Sequence, residues 1–271
     1  MSESGGVTDL PAPEGSPSEG PAIAMRGLGK RFGDLIAVRG IDLDVPRGSF
    51  FGLVGPNGAG KTTTLSMVTG LLRPDSGHAF VLGRDVWADP VAAKRLLGVL
   101  PDGLKLFDRL TGLQLITYAG LLRGMPRDLA TARATELIAA LGLAEAQGKL
   151  VVDYSAGMTK KATLACALVH APRVLVLDEP FEAVDPVSAA TIRRILEDYV
   201  AAGGTVVLSS HVMDLVQRLC SHVAVIADGQ VLAVGGIDEV RGGHTLEERF
   251  VELVGGSTEV EGLSWLRTSS D

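Results

Sequence analysis

The spacing of apolar positions changes character several times along the chain. From residue 22, IAMRGLGKRFG and IDLDVPRG mix apolar and polar residues between turns, which predicts short antiparallel strands. SFFGLV (49–54) is a compact apolar run ending at Gly55, the pattern of a buried strand. A helix is expected from about Gly60 to Thr69, stopped near Gly70. Between 104 and 150 the period becomes helical, with LQLITYAGLL and LATARATELIAALG as amphipathic segments, and a further helix is expected over 157–170. VLVLDEP (174–180) and TVVLSSH (205–211) are apolar without alternation, as in central strands covered on both faces. HVAVIADGQVLAVG holds Asp228-Gly229 between two apolar runs, a hairpin signal. DEVRGGHTLEERFVELVGG predicts one more short helix, with 255–271 loose. No internal repeat is visible.

Composition narrows this picture. With 271 residues, 46% hydrophobic content and a mean hydropathy of +0.28, the chain can bury a core and is not a disordered polymer. The exception is residues 1–21, where twelve positions are Gly, Pro or Ser and four are acidic; a disordered tail is expected there. That tail carries four of the seven net negative charges, so the remainder is near neutral and offers nucleic acid no general attraction. No run approaches the roughly 18–20 apolar residues that span a bilayer. No Lys or Arg precedes Arg26, so a secretory start is not expected. A cytoplasmic protein is expected, anchored to a membrane only through another chain. Two cysteines, Cys166 and Cys220, cannot build a disulfide framework and suit a reducing compartment. Both are expected to be small packing residues, and no Cys/His cluster has the spacing of a zinc site. Lys160 and Lys161 are expected on a solvated helix face.

The sharpest chemical signal is Gly55-Pro56-Asn57-Gly58-Ala59-Gly60-Lys61-Thr62-Thr63, which fits the P-loop pattern. Glycines let backbone N–H groups curl around phosphate oxygens, and the following helix adds positive potential. Lys61 would reach the β- and γ-phosphates, and Thr62 would ligate Mg²⁺. A solvated lysine in a glycine-rich turn is the bland alternative; the apolar run before the motif and the helical pattern after it argue against that. Val174–Leu177 followed by Asp178 and Glu179 reads as a buried strand delivering two carboxylates to its C-terminal end, where open α/β sheets bind ligands. Asp178 would hold Mg²⁺ and Glu179 would polarise an attacking water. Alone this could be an ordinary acidic turn; after a P-loop it carries weight. Tyr154-Ser155-Ala156-Gly157-Met158 precedes a helix, where Ser155 can be an N-cap and the helix start an anion site.

In order, the P-loop, the Ser-x-Gly segment, the Asp-Glu strand, Asp185 and His211 resemble the ATP-binding subunit of an ABC transporter. The resemblance covers about residues 22–240, and the form YSxGM with the tail TLEERFVELVGG is similar to single-domain ATPases that pair with a separate export permease. It implies an α/β P-loop NTPase with a mixed core sheet, an antiparallel β subdomain and an inserted helical subdomain at about 103–160. A short helix and tail would follow over 241–271. The implied ligands are ATP and Mg²⁺; the implied partners are a membrane permease and a second ATPase subunit, held head to tail. Cargo would be drugs, lipids or other hydrophobic or polymeric molecules. Phe32 matches the aromatic residue that stacks on adenine, with a core phenylalanine as its bland alternative. Ser155 and Gly157 would contact the γ-phosphate held by the second subunit, Asp185 would lie in the loop that crosses the dimer interface, and His211 would contact the γ-phosphate and help orient water.

Two positions depart from the family pattern. Leu100-Pro101-Asp102-Gly103 stands where Gln is usual, and an ionised Asp accepts hydrogen bonds but does not donate. Asp102 could still face Mg²⁺, or be only a turn residue before Gly103. Met158 replaces a polar side chain, which removes one side-chain hydrogen bond while keeping Ser155 and Gly157. Two other functions fit the P-loop less well: a soluble ABC-type ATPase without a membrane partner, and a small-molecule kinase, which would need no Ser-x-Gly segment.

Overall fold

The computed structural model describes residues 20–103 and 106–255. Most of the expected N-terminal tail and the stretch after Gly255 lie outside these residues. In chain order, β1 (Ile23–Phe32) and β2 (Leu35–Val45) form a hairpin, then come β3 (Phe50–Val54) and α1 (Lys61–Val68). Next are β4 (Ser76–Val81), β5 (Arg84–Asp85), α2 (Pro90–Leu96) and β6 (Leu97–Leu100). The helices α3 (Gly112–Leu122), α4 (Arg127–Ala140) and α5 (Ala156–Leu168) follow, with two short 3-10 turns between the last two. The chain continues through β7 (Val174–Leu177), α6 (Pro186–Ala201), β8 (Thr205–Ser210), α7 (Met213–Leu219), β9 (His222–Ala227) and β10 (Gln230–Gly236). It closes with α8 (Ile237–Arg241) and α9 (Leu246–Val254).

These strands make two sheets. The first is antiparallel, in the order β2-β1-β4-β5. The second has the order β10-β9-β3-β8-β7-β6 and is parallel except for β10, so the core sheet is mixed as expected. Alternation inside the apolar runs divides two cores. Phe50, Val54, Leu175, Leu177, Val206 and Leu208 face α5, α6 and α7, whereas Phe51, Leu53, Val174, Val176 and Val207 face α1 and the antiparallel sheet. Both faces are buried, which is why the sequence shows no apolar–polar alternation in these strands.

Register sets where the chemistry falls. Val54 pairs with Ser210 and Leu177 with Leu208, so β3, β7 and β8 end at one edge of the sheet. Gly55, Asp178 and His211 all leave from that edge. This is the carboxyl end of parallel strands, where α/β folds bind ligands.

The differences from expectation have local causes. The single C-terminal helix is two, α8 and α9, because Gly242 and Gly243 both adopt left-handed backbone, at φ 57° and 91°, and interrupt it. Thr245 then starts α9 through a capping box with Glu248. The sequence pattern did not single out β4, β5, α2, β6 or α6, whereas α7 ends at Cys220 as expected. LGVL of β6 follows α2 without a break, so its apolar residues merge with the helix pattern. The strand read in VLVLDEP stops at Leu177; Asp178 N–H still bonds Leu100 O at 2.8 Å, and Glu179 N–H is the first to turn to a side chain, Ser209.

Candidate nucleotide site

The glycine-rich loop folds as its residue types require. Gly58 and Gly60 have φ 82° and 100°, a region that side chains strain to occupy. At Gly55 a Cβ would collide with the Ile226 carbonyl. The loop ends in α1, whose first residue is Lys61. Lys61 is buried, and its Nζ donates to Gly55 O at 2.7 Å and Pro56 O at 3.2 Å. Burial pushes the ammonium pKa down, while the Glu179 and Asp178 carboxylates push it back up. The lysine is therefore not the solvated residue of an ordinary turn.

A cleft of about 660 Å³ opens over this loop. Pro56 to Thr63, Phe32, Asp102, Glu179 and His211 all line it. Phe32 ends β1 and is 48% exposed, which excludes the core-phenylalanine reading. Leu35, Ile36 and Ala37 line the cleft beside it, giving this end an apolar surface.

Beside the cleft, Asp178 is buried at 4% exposure and accepts a hydrogen bond from the Ser209 hydroxyl. Glu179 accepts or shares a proton with His211, with Nδ1 and Oε1 3.1 Å apart. A carboxylate in contact with an imidazole is an arrangement that can take a proton from water and pass it on. Asp102 occupies a turn with Gly103, at φ 63°, and so satisfies its bland reading while also lining the cleft. Thr62, Asp102 and Asp178 together line a small adjoining cavity of about 40 Å³. Their side-chain oxygens are the hard donors that suit Mg²⁺.

Ser155, Gly157 and Asp185 do not line this cleft. Ser155 caps α5 by accepting from Met158 N–H at 3.2 Å. Asp185 caps α6, accepting from Val187 N–H at 3.1 Å and Ser188 N–H at 2.9 Å, and its bonds to Ser188 hold its carboxyl below the usual range. The two segments adjoin: a Cβ placed on Gly157 would lie 3.8 Å from both Ala183 O and Asp185 Oδ2. One chain thus groups these three residues with each other, away from its own glycine-rich loop.

Three residues of the site escaped the sequence reading. Arg39 lines the cleft and donates from Nε to Asp228 O at 2.9 Å, tying β2 to the expected Asp-Gly hairpin. Glu182 lines the cleft near Glu179. Ser209 bonds both to Asp178 and to the backbone of Glu179. Two consecutive serines at the end of an otherwise apolar central strand were the available signal. Lys160 and Lys161 are half-buried rather than solvated, and Lys160 lines a second crevice between α5 and the 100–103 turn. The Cys166 and Cys220 thiols are both pushed to about 12 by burial, which removes thiolate reactivity. Among the described residues no helix is long and apolar enough to cross a membrane.

Comparison with known proteins agrees with this geometry. Residues 38–182 match the ABC transporter family model. The chain is 39% identical over 220 residues to the daunorubicin/doxorubicin resistance ATP-binding protein DrrA of Streptomyces peucetius, across 81% of this chain and 67% of that protein. It is 34% identical over 213 residues to the linearmycin resistance ATP-binding protein LnrL of Bacillus subtilis, across 79% of this chain and 68% of that one. A solved ATP-binding subunit of an ABC transporter superposes with a TM-score of 0.80 at 26% identity, covering 86% of this chain and 99% of that structure. With a phosphate loop, an acidic strand end and a histidine meeting in one cleft, the chain belongs to the ABC transporter family as an ATP-binding, ATP-hydrolysing subunit.

Proposed function

We propose that this chain is the motor of an exporter, and that it hydrolyses ATP in a head-to-tail dimer on a separate membrane permease. The observation that carries the reading is the glycine-rich amide nest at 55–63 facing the Glu179–His211 pair across one cleft. Phe32 would stack on the base, a contact that tolerates any base chemistry. Loop N–H groups and Lys61 would hold the β- and γ-phosphates, with Lys61 exchanging its loop carbonyls for phosphate oxygens. Thr62, Asp102 and Asp178 would hold Mg²⁺, which would supply positive charge to offset the negative charge developing during transfer. Glu179 would receive a proton from the attacking water, with His211 orienting the carboxylate and contacting the γ-phosphate.

The separation of Ser155, Gly157 and Asp185 from the cleft supports a second subunit. The α5 start, where Ser155 and Gly157 lie, would offer backbone N–H groups to an anion, with Asp185 beside it. Supplied to a partner's ATP, they would make the γ-phosphate the link that holds the dimer closed until hydrolysis. The unit would comprise residues 22–240, with 103–160 as the helical part that engages the permease. An exposed apolar groove of about 770 Å³ runs along α3, where Phe107 and Tyr118 pack edge to face at 5.8 Å. It suits an apolar permease segment, and would place the chain on the cytoplasmic face of the membrane. The drug-resistance names of DrrA and LnrL support export of a hydrophobic drug-like cargo.

Lys61→Ala tests the core of this reading. It is expected to abolish MgATP binding and ATPase activity while the variant folds; retained turnover would refute it.

A further inference from the structure

The Ser209 side chain hydrogen-bonds both carboxylate-bearing residues of the acidic strand end. It lies on β8, fully buried, where the pairing of Leu177 with Leu208 places it level with Asp178. Its hydroxyl accepts the Glu179 N–H at 2.9 Å and donates to Asp178 Oδ1. A serine hydroxyl has one proton to give and lone pairs to receive, so both bonds form at once. Glu179 itself has φ 46°, a left-handed conformation that a non-glycine residue holds only when its surroundings fix it. That conformation turns the chain sharply at the strand end and carries the Glu179 carboxylate to within 3.1 Å of His211 Nδ1. His211 follows Ser209 by two residues on the same strand exit. One short segment of β8 therefore clamps the Glu179 backbone, fixes the Asp178 carboxylate and supplies the imidazole.

We propose that Ser209 is a positioning residue for hydrolysis: its hydroxyl locks the left-handed turn at Glu179 and the orientation of Asp178. The inference rests on the ATPase reading and deepens it. Ser209 touches neither the cleft nor any position a nucleotide would occupy. Its loss would leave the phosphate loop intact while a buried N–H and a buried carboxylate lose their shared partner. Misplacement of a reacting group by about 1 Å is enough to cost on the order of a hundredfold in rate.

The test compares Ser209→Ala and Ser209→Thr with the wild-type chain in steady-state MgATP hydrolysis, alongside direct MgATP binding and thermal melting. For Ser209→Ala, kcat is expected to fall about 10- to 100-fold with KM and MgATP affinity within about twofold. Threonine keeps the hydroxyl and should restore most of the rate. A kcat for Ser209→Ala within twofold of wild type would overturn the proposal. So would a rise in KM that accounts for the loss, or a threonine variant that melts like wild type yet is as slow as the alanine form. Lys61→Ala, run beside them, separates the failures. Turnover in that variant would sink the ATPase reading itself, whereas a dead Lys61→Ala with a full-speed Ser209→Ala would sink only the role of Ser209.

Discussion

Two segments face each other across the cleft and reach left-handed backbone by different means. The 55–63 loop uses glycine, with Gly58 at φ 82° and Gly60 at φ 100°. The 178–185 segment uses side-chain-bearing residues, Glu179 at φ 46° and Ala183 at φ 57°. Glycine visits this region without Cβ conflict; other residues pay roughly 1–2 kcal/mol for it. The contrast follows from what each segment supplies. The first offers backbone N–H groups, and a side chain at 58 or 60 would add nothing to them. The second must deliver a carboxylate at Glu179, so strain is retained there and held by the Ser209 bond and the turn from Glu182 N–H to Glu179 O at 3.2 Å. Ala183 shows no such return, since its methyl carries no chemistry.

Substitutions can break this contrast or sharpen it. The largest effect is expected from Glu179→Gln, which keeps the backbone and removes the proposed base. Its kcat should fall by about 10²- to 10⁴-fold, the usual contribution of a positioned base, while ATP still binds and ATP-loaded dimers accumulate on a sizing column. Near-normal turnover would show that the strained turn serves some other residue. Gly60→Ala comes next. Its Cβ would press on the Ala37 carbonyl at a φ of 100°, so stability should drop by about 2 kcal/mol or more in denaturant titration, with weaker MgATP binding. The smallest effect has the opposite sign. Ala183→Gly relieves the left-handed strain but adds entropy to the unfolded chain, for a net gain of about 0.5–1 kcal/mol and a Tm rise of a few degrees by calorimetry. An Ala183→Gly variant that melts lower than wild type would show that the methyl packs usefully after all.

Legibility in the sequence followed the same division. Gly55 to Thr63 could be read because the loop's geometry is written in glycine, and its helix start in the pattern that follows. Asp178 and Glu179 were visible as acids at the end of an apolar run. Phe32 and Asp102 were read by resemblance, and their accessibility to the cleft emerged only once β1 and the 100–103 turn were placed beside α1. Ser209 and Arg39 were missed because each acts across sequence separations of about 30 and 190 residues. The two serines at the end of β8 mark a position but do not name its partner. Ser155 and Asp185 show their structural reading, each capping a helix start.

The amino-acid sequence by itself determined the glycine-rich loop, the strand and helix that flank it, and the family. Those features depend on residue type and spacing over a few positions: glycine for positive φ, unbroken apolar runs for buried strands, capping residues for helix starts. The tertiary structure alone decided that β7 and β8 lie in a register placing Ser209 level with Asp178, and that His211 meets Glu179. It also decided that Ser155 and Asp185 do not line the cleft of their own chain. Those arrangements arise from sheet pairing and packing between segments far apart in the chain, where side-chain burial and hydrogen-bond satisfaction over the whole core choose the register.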